Sequence, residues 1–263
     1  MSDAAVTWVG HATALVELAG ERVLIDPLGR RRCRGLAPTA ILITHAHVDH
    51  LNRWTLAVLD RGAALYVPKG AGRYVADLGF RTVREVEPGD AFAVGHLDVV
   101  AVPTRHDPGR WRKGDAPICT GYVVTGAGHA VHHSGDVDMS DFDVFDAIGE
   151  QFDLDATLLP IGGILPVWYY RARRGAKDRG VHIDPDTALD LARRLRAKTF
   201  VPVHYGTVQI PFGPARTAPR RLARVARERN ESERVRILGH GESMALARPR
   251  LLGAAGGRAR AAE

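Results

Sequence analysis

Three histidines and an aspartate lie within residues 45–50, directly after an apolar run, in the pattern His-x-His-x-Asp-His. His45 and His47 are two positions apart, so in an extended chain their side chains point the same way. Imidazoles and a carboxylate without thiolates suit zinc, iron or manganese. Four such groups within six residues are too many to crowd around one ion. The pattern therefore favours two adjacent ions, with Asp49 and His50 on the second.

Two ions need further ligands, and the chain offers them next to other predicted elements. His106, Asp136 and His204 each follow a predicted strand, and His182 comes just before a predicted helix. Strand ends that converge on one edge of a sheet sandwich are places where a metal site can be built. We expect the histidines of predicted turns to lie at the surface instead: His96, His129 and His240.

The strands that would position these residues are short β-branched or apolar runs bounded by Gly, Pro and Asp. Tight turns at Ala19-Gly20 and at Gly126 to Gly128 predict two hairpins. The predicted strands lie at 6–9, 13–18, 22–26, 40–44, 64–67, 82–86, 91–94, 97–102, 119–125, 130–134, 155–160, 199–203, 234–238 and 243–247.

Helices are predicted between these strands in both halves of the chain, at 53–60, 70–78, 140–148, 185–196 and 217–229. Asp184 followed by Pro185 is a good pair for an N-cap and a first helical position. The pattern predicts a layered α/β architecture, a sandwich of two sheets flanked by helices. We expect one domain over 1–247 and a flexible tail over 248–263.

Composition narrows the class of protein. The 263 residues carry a net charge of +6 and are 45% hydrophobic. No run of 18 apolar residues and no signal peptide is evident, and the two cysteines suit a reducing cytosol, so we expect a cytoplasmic protein without a membrane span. The basic run 215–230 is interpreted as a solvated helix face with acidic partners. Without aromatic–basic interleaving, nucleic acid is not favoured as a partner, and the oligomeric state stays open.

The motifs, taken in order, resemble the metallo-β-lactamase fold superfamily. The resemblance runs from about Val6 to Ala247 and rests on the His-x-His-x-Asp-His pattern together with these segments: "WVGHAT" (8–13), "LIDP" (24–27), "HDPGR" (106–110), "SGD" (134–136), "LLPIGGILPVWYY" (158–170), "HIDPDTALDL" (182–191) and "PVHYGT" (202–207). Within the superfamily, the chain is most similar to the branch of N-acylphosphatidylethanolamine-hydrolysing phospholipase D and ascorbate-6-phosphate lactonase-like proteins. The resemblance implies an αββα sandwich of two mixed β-sheets flanked by helices.

The resemblance also implies roles for the ligand candidates. His182 matches a pocket histidine that is not a ligand. Asp136 would bridge two zinc ions, with manganese or iron as alternatives. The other ligands would be His45, His47 and His106 for the first ion, and Asp49, His50 and His204 for the second.

Such a site implies a hydrolase. Two zinc ions can share a water and lower its pKa towards about 7, and the hydroxide then attacks a phosphorus or carbonyl centre. Asp136 would orient that hydroxide, and we count Asp49 with it as catalytic. His182 could hydrogen-bond the substrate or protonate the leaving group, or make only a structural bond. Asp26 could orient a metal-binding histidine or simply form a turn, and His11 could line the pocket or be a buried structural histidine.

Substrate preference is predicted from the segment 161–182, which connects a strand to a helix with little periodicity. An apolar wall beside cations suits a small-molecule or lipid-like anionic substrate, although the aromatics could instead pack on the sandwich. The candidate binding residues are Trp168, Tyr169, Tyr170 and Arg171, with His11 and with Arg110 from the segment after His106.

Three classes of function remain open. The first is a phosphodiesterase similar to phospholipase D, the second a lactonase or carboxylic-ester hydrolase, and the third a non-hydrolytic metal-binding or iron redox protein. Asp107, the segment 119–121 and Val137 depart from the phospholipase pattern. These departures remove no ligand, but they reshape the pocket wall and leave the substrate open.

Overall fold

Two β-sheets pack face to face and helices cover their outer faces, which is the predicted αββα sandwich. The computed structural model describes residues 4–106, 117–139, 142–162, 182–206 and 217–247. The side chains of a strand alternate between its two faces. Both faces of the first sheet are buried, so both are apolar. Val23 and Ile25 face the core between the sheets, whereas Leu24 packs in a second core under the first helices.

The first sheet is mixed, with strands numbered along the chain. Its order is β13-β1-β2-β3-β4-β5-β6. Strands β1 to β3 pair antiparallel and β3 to β6 pair parallel. The strands are β1 (Ala4–Gly10), β2 (Thr13–Leu18), β3 (Glu21–Ile25), β4 (Ala40–Leu42), β5 (Ala64–Pro68), β6 (Val83–Val86) and β13 (Glu242–Ala245).

The second sheet is mixed as well, and its order is β12-β11-β10-β9-β8-β7. Strands β7 to β10 pair antiparallel, and β10 to β12 pair parallel. The strands are β7 (Ala91–Val94), β8 (Leu97–Val102), β9 (Gly121–Gly126), β10 (His129–His133), β11 (Ala156–Pro160) and β12 (Thr199–Val203).

The helices of the described residues are α1 (Arg30–Cys33), α2 (Arg53–Leu56), α3 (Asp143–Gln151), α4 (Pro185–Arg194) and α5 (Ala218–Glu228). The predicted start of α4 is confirmed, because the Asp184 carboxylate accepts a hydrogen bond from the Thr187 N–H at 3.0 Å. On α5, the predicted acidic partners are present: Arg221 pairs with Asp184 at 2.8 Å. None of the helices among the described residues is long and apolar enough to cross a membrane.

Both predicted hairpins are confirmed. Leu18 pairs with Glu21 and Gly126 with His129, and the intervening residues have the positive φ angles that tight hairpin turns need. The predicted helix at 70–78 is wrong: it is two 3-10 turns, Gly72–Tyr74 and Ala76–Leu78. Glycines with positive φ, Gly70 and Gly79, bound that segment, and Val75 between the two turns has a φ of −125°, which interrupts a continuous helix.

Two other predicted boundaries are wrong. The predicted strand 234–238 is reduced to one bridge between Phe200 of β12 and Val235, made by backbone hydrogen bonds of Phe200 to Arg234 and Arg236. The helix predicted over 53–60 ends at Leu56, where Arg61 donates to the Leu56 carbonyl at 2.6 Å. The segment 163–181 and the tail 248–263 lie outside the described residues.

Strand direction brings the polar strand ends together. Strands β10, β11 and β12 run parallel, and β8 runs the same way because β9 lies antiparallel between it and β10. Their carboxyl ends therefore share one edge of the second sheet. In the first sheet, β3 and β4 end together, next to the turn between β1 and β2. The polar residues of both edges face one another there.

Candidate metal centre

Four of the predicted ligands form one compact group, which we call the first group. His47 Nδ1 lies 2.9 Å from His45 Nε2 and 3.1 Å from His106 Nε2. Asp136 Oδ2 lies 3.8 Å from His45 Nε2 and 3.7 Å from His106 Nε2. Tetrahedral ligands at about 2.0–2.1 Å from zinc are about 3.3 Å apart. These spacings scatter around the value that one such ion needs.

The remaining predicted ligands, Asp49, His50 and His204, form the second group together with His11. His204 Nε2 lies 3.6 Å from Asp49 Oδ2. The Nε2 atoms of His50 and His204 are each 3.2 Å from Asp136 Oδ2. The Asp136 carboxylate therefore stands between the two groups, where a bridging ligand would have to be.

The buried atoms of the predicted ligands suit a bound cation. His50 Nε2, His204 Nε2 and Asp136 Oδ1 are buried and have no hydrogen-bond partner among the described residues. An orphaned buried polar atom costs free energy that a native protein recovers through a partner. Nitrogen and oxygen atoms that converge without hydrogen bonds fit divalent transition metals. The assignment of these residues as metal ligands stays a prediction.

The second group is strongly coupled by charge. Burial alone would lower the pKa of His204, but the nearby Asp136 and Asp49 carboxylates raise it to about 9. The pKa of His50 is likewise raised, because the charges of Asp136 and Asp26 outweigh its burial. Conversely, neighbouring histidines hold the pKa of Asp136 well below its usual range although its burial acts the other way. The Asp136 carboxylate thus stays ionised and attracts positive charge to this edge.

Asp26 lies directly behind the second group. It is fully buried, and its carboxylate accepts hydrogen bonds from His50 Nδ1 at 2.7 Å and from the Thr44 N–H at 2.8 Å. The contact fixes the His50 ring so that Nε2 faces Asp136. Its backbone has a φ of 47°, a strained value typical of residues that the surrounding structure holds in place. This geometry is the one expected of a residue that orients a metal ligand.

His11 is part of the same wall. Its Nε2 lies 3.0 Å from Asp49 Oδ2, and its carbonyl accepts hydrogen bonds from Trp8 Nε1 at 2.7 Å and from the His204 N–H at 2.8 Å. Burial and the charge of His204 lower the pKa of His11 to about 4, so the ring is neutral near pH 7. His11 therefore fits both predictions: it is a buried histidine with a structural bond, and it also lines the second group.

His182 reaches the centre from the start of α4. Its Nδ1 lies 3.7 Å from Asp136 Oδ2 and has no hydrogen-bond partner among the described residues. Burial lowers the pKa of His182 to about 3 despite the nearby Asp136 charge. A neutral imidazole therefore points an unpaired nitrogen at the predicted metal position.

One residue at the centre was not predicted. Asp138 is buried, and its Oδ1 accepts a hydrogen bond from His106 Nδ1 at 2.9 Å. The local sequence does not predict the contact between His106 and Asp138, because the two residues are far apart in the chain and meet only through the sheet. The single available signal was a second aspartate two positions after Asp136, which extended chain places on the same face.

Other predicted positions are untested or wrong. Trp168, Tyr169, Tyr170, Arg171 and Arg110 lie outside the described residues. The surface positions predicted for His96 and His240 are confirmed. That of His129 is wrong: it is buried because Asp155, before β11, lies 3.1 Å from its Nδ1.

Comparison with known proteins identifies the family. Residues 14–205 match the family model described as the beta-lactamase superfamily domain. A UPF0173 metal-dependent hydrolase of Methanopyrus kandleri is 30% identical over 249 residues, covering 90% of this chain and 98% of that protein. A second UPF0173 metal-dependent hydrolase, of Methanoregula boonei, is 31% identical over 243 residues, covering 91% and 96%.

Among solved structures, the metallo hydrolase Igni18 of the hyperthermophilic archaeon Ignicoccus hospitalis superposes with a TM-score of 0.70 at 23% sequence identity. The likeness covers 93% of this chain and 98% of that chain, and it supports the fold. The family model spans most of the chain, and the two relatives match almost from end to end. The chain therefore belongs to the metallo-β-lactamase superfamily.

Proposed function

We propose that this protein is a metal-dependent hydrolase with a binuclear centre that cleaves a phosphodiester of an amphiphilic, anionic substrate, in the manner of a phospholipase D. One observation supports the binuclear centre above others: the Asp136 carboxylate faces two separate groups of histidines within 3.8 Å. The relatives from Methanopyrus and Methanoregula are named metal-dependent hydrolases, which supports the general class.

The predicted ligands are assigned to two ions. His45, His47 and His106 would hold the first ion, Asp49, His50 and His204 the second, and Asp136 both. Two divalent ions, when bound, lower the pKa of a shared water and stabilise negative charge on the attacked centre. Zinc is the proposed metal, because imidazole nitrogens dominate the set, and manganese or iron are the alternatives.

His182 would act on the substrate and not on the metal. Because burial lowers its pKa to about 3, the ring is neutral near pH 7 and can donate one hydrogen bond and accept another. A neutral ring beside the reacting centre suits a hydrogen bond to a substrate oxygen that strengthens as charge develops there. The same position would let it pass a proton to a leaving group.

The phosphodiester preference rests on sequence. Within the segment 161–182, six bulky apolar or aromatic residues at 164, 165 and 167–170 are followed by arginines at 171, 173 and 174. Aromatic rings stabilise an apolar tail by burial, and arginine binds phosphate through paired hydrogen bonds. The resemblance to the phospholipase branch points the same way.

A lactone or carboxylic ester is the second candidate substrate. It is favoured by the departures from the phospholipase pattern at Asp107 and Val137, of which Val137 is buried beside Asp136. Both candidates need the same centre and differ only in the electrophile.

A substrate panel separates the two candidates. The zinc-loaded protein would be assayed with bis(p-nitrophenyl) phosphate and with a series of lactones at equal concentration, with Asp136→Asn as the inactive control. Turnover of the phosphodiester at ten times or more the best lactone rate supports the proposal. Turnover of lactones alone replaces it with the second candidate, and no turnover of either class in a protein that carries two ions argues against hydrolysis of both.

A further inference from the structure

Asp138 has a buried carboxylate that hydrogen-bonds a ligand of the first group on the side away from the predicted ion. The side chains of His106 and Asp138 are 1% and 6% exposed, and the His106 Nδ1–H donates to Asp138 Oδ1 at 2.9 Å. The opposite nitrogen, His106 Nε2, lies 3.1 Å from His47 Nδ1. The Nδ1 edge of the His106 ring therefore binds Asp138, and the Nε2 edge faces the predicted ion.

The backbone fixes Asp138 in this position from two sides. Its N–H donates to the carbonyl of Arg105 at 2.7 Å, so it is tied to the residue directly before His106. It also forms a β-bridge with His182, extended by a hydrogen bond from the Ile183 N–H to the Val137 carbonyl at 3.0 Å. Asp138 thus cannot move away from His106 without disturbing the segment that carries His182.

The same arrangement occurs once in each group. Behind the second group, the His50 Nδ1–H donates to Asp26 at 2.7 Å, and His50 Nε2 faces Asp136. Behind the first group, Asp138 makes the equivalent contact to His106. Each predicted ion would then have one histidine ligand supported by a buried carboxylate.

We propose that Asp138 is a positioning residue for the first metal site, as Asp26 is for the second. By accepting the Nδ1–H, it fixes the His106 tautomer that leaves Nε2 as a lone-pair donor, and its negative charge strengthens that donor. Removing the charge weakens the first site and leaves the second unchanged. The proposal rests on the binuclear centre proposed above.

Single-site parents make the test specific. His204→Ala removes a ligand of the second group only, and His47→Ala removes a ligand of the first group only. Asp138→Asn would be added to each parent, and zinc affinity would be measured by competition with a chromophoric chelator. We expect about a 10–100-fold weaker affinity in the His204→Ala parent and an unchanged affinity in the His47→Ala parent. Asp26→Asn is the matched control, with the opposite pattern.

One further measurement separates positioning from a general loss of structure. In ¹⁵N-histidine-labelled protein, the hydrogen-bonded His106 Nδ1–H should give a proton signal that His106→Gln removes. Asp138→Asn should shift that signal and leave the signal of His50 in place. Asp138→Ser, a smaller side chain, provides a second variant if the asparagine variant does not fold.

Equal loss of affinity in both parents, or no loss in either, would overturn the assignment of Asp138. The proposed function fails in a different way, if the wild-type protein and the His204→Ala parent carry the same number of zinc ions. The two failures can be told apart, because the effect of Asp138→Asn is the ratio of zinc affinities with and without this substitution in the same parent.

Discussion

Gly162 lies so close to the carbonyl of His204 that a Cβ at position 162 would overlap this oxygen. Gly162 follows β11 and His204 follows β12, and the two strands are neighbours in the sheet. A side chain at 162 would have to displace the backbone of a predicted ligand. His204 is already constrained, with a φ of 60° and an N–H that donates to the His11 carbonyl at 2.8 Å.

Gly162→Ala is therefore expected to remove one of two bound ions and to keep the other. The displaced His204 belongs to the second group, whereas the first group lies on other strand ends. Metal content after dialysis against chelator-free buffer measures the result. Gly62→Ala is the matched control, because a Cβ there meets only the exposed Asp60 side chain, at 3.4 Å. Two ions retained in Gly162→Ala would show that the second site does not depend on this contact.

His182→Ala should keep both ions and lose most turnover. Groups that act on a proton or on developing charge typically contribute about 10²–10⁴-fold to the rate. The loss should be largest for a substrate with a poor leaving group, so kcat would be compared for alkyl and nitrophenyl leaving groups. A rate unchanged on the poor leaving group, with metal content intact, would make His182 a structural residue.

The strand ends of the centre could be predicted because the signals there are local. Apolar runs bounded by polar residues mark where β4, β10 and β12 end, and a ligand candidate follows each of them within three residues. The tight turns at Ala19 and Gly128 are equally local, since their backbone angles need particular residues. The layered fold followed from the alternation of strands and helices.

The contacts that could not be predicted depend on distant parts of the chain. His129 looks like a hairpin residue and is buried only because Asp155 lies beside it. Val235 has a strand-like neighbourhood, but only one bridge forms. The Asp138 contact joins residues 32 positions apart. In each case tertiary pairing, which a single sequence does not display, overrides the local preference.

Away from the centre, His132 should make the protein sensitive to acid. The ring is fully buried on β10, and its Nδ1 lies 2.8 Å from Thr157 Oγ1. Burial lowers the pKa of His132 to about 3, whereas the unfolded chain has the ordinary value of about 6.5. The unfolded state therefore binds a proton first as the pH falls. Its contribution to stability is present above pH 6.5 and is lost progressively towards pH 3.

At pH 5 this loss amounts to about 2 kcal/mol. The free energy of unfolding of His132→Leu relative to wild type should therefore improve by about that amount between pH 7 and pH 5. Urea unfolding at both pH values measures the difference, with the exposed His96→Leu as the control. A pH-independent difference between His132→Leu and wild type would rule out this linkage.

Trp168→Ala tests the predicted preference for amphiphilic substrates. We expect KM to rise more for long-tailed phosphodiesters than for short ones, because a buried aromatic contact to a tail contributes roughly 1.5–3 kcal/mol. Metal content should not change. Trp168→Phe, which keeps an apolar ring, is the matched control and should retain most of the tail-length dependence.

An equal effect of Trp168→Ala on short and long substrates would remove the argument for a lipid-like tail. A small polar ester or lactone would then be the better substrate class.

One protein chain is predicted to bind two metal ions, through two groups of residues that share Asp136. Elemental analysis of protein purified without chelator and loaded with zinc tests it most directly, on wild type, His47→Ala and His204→Ala side by side. Two ions per chain in wild type and one in each variant is the predicted result. One ion or none in wild type, or no difference between wild type and the variants, would contradict it.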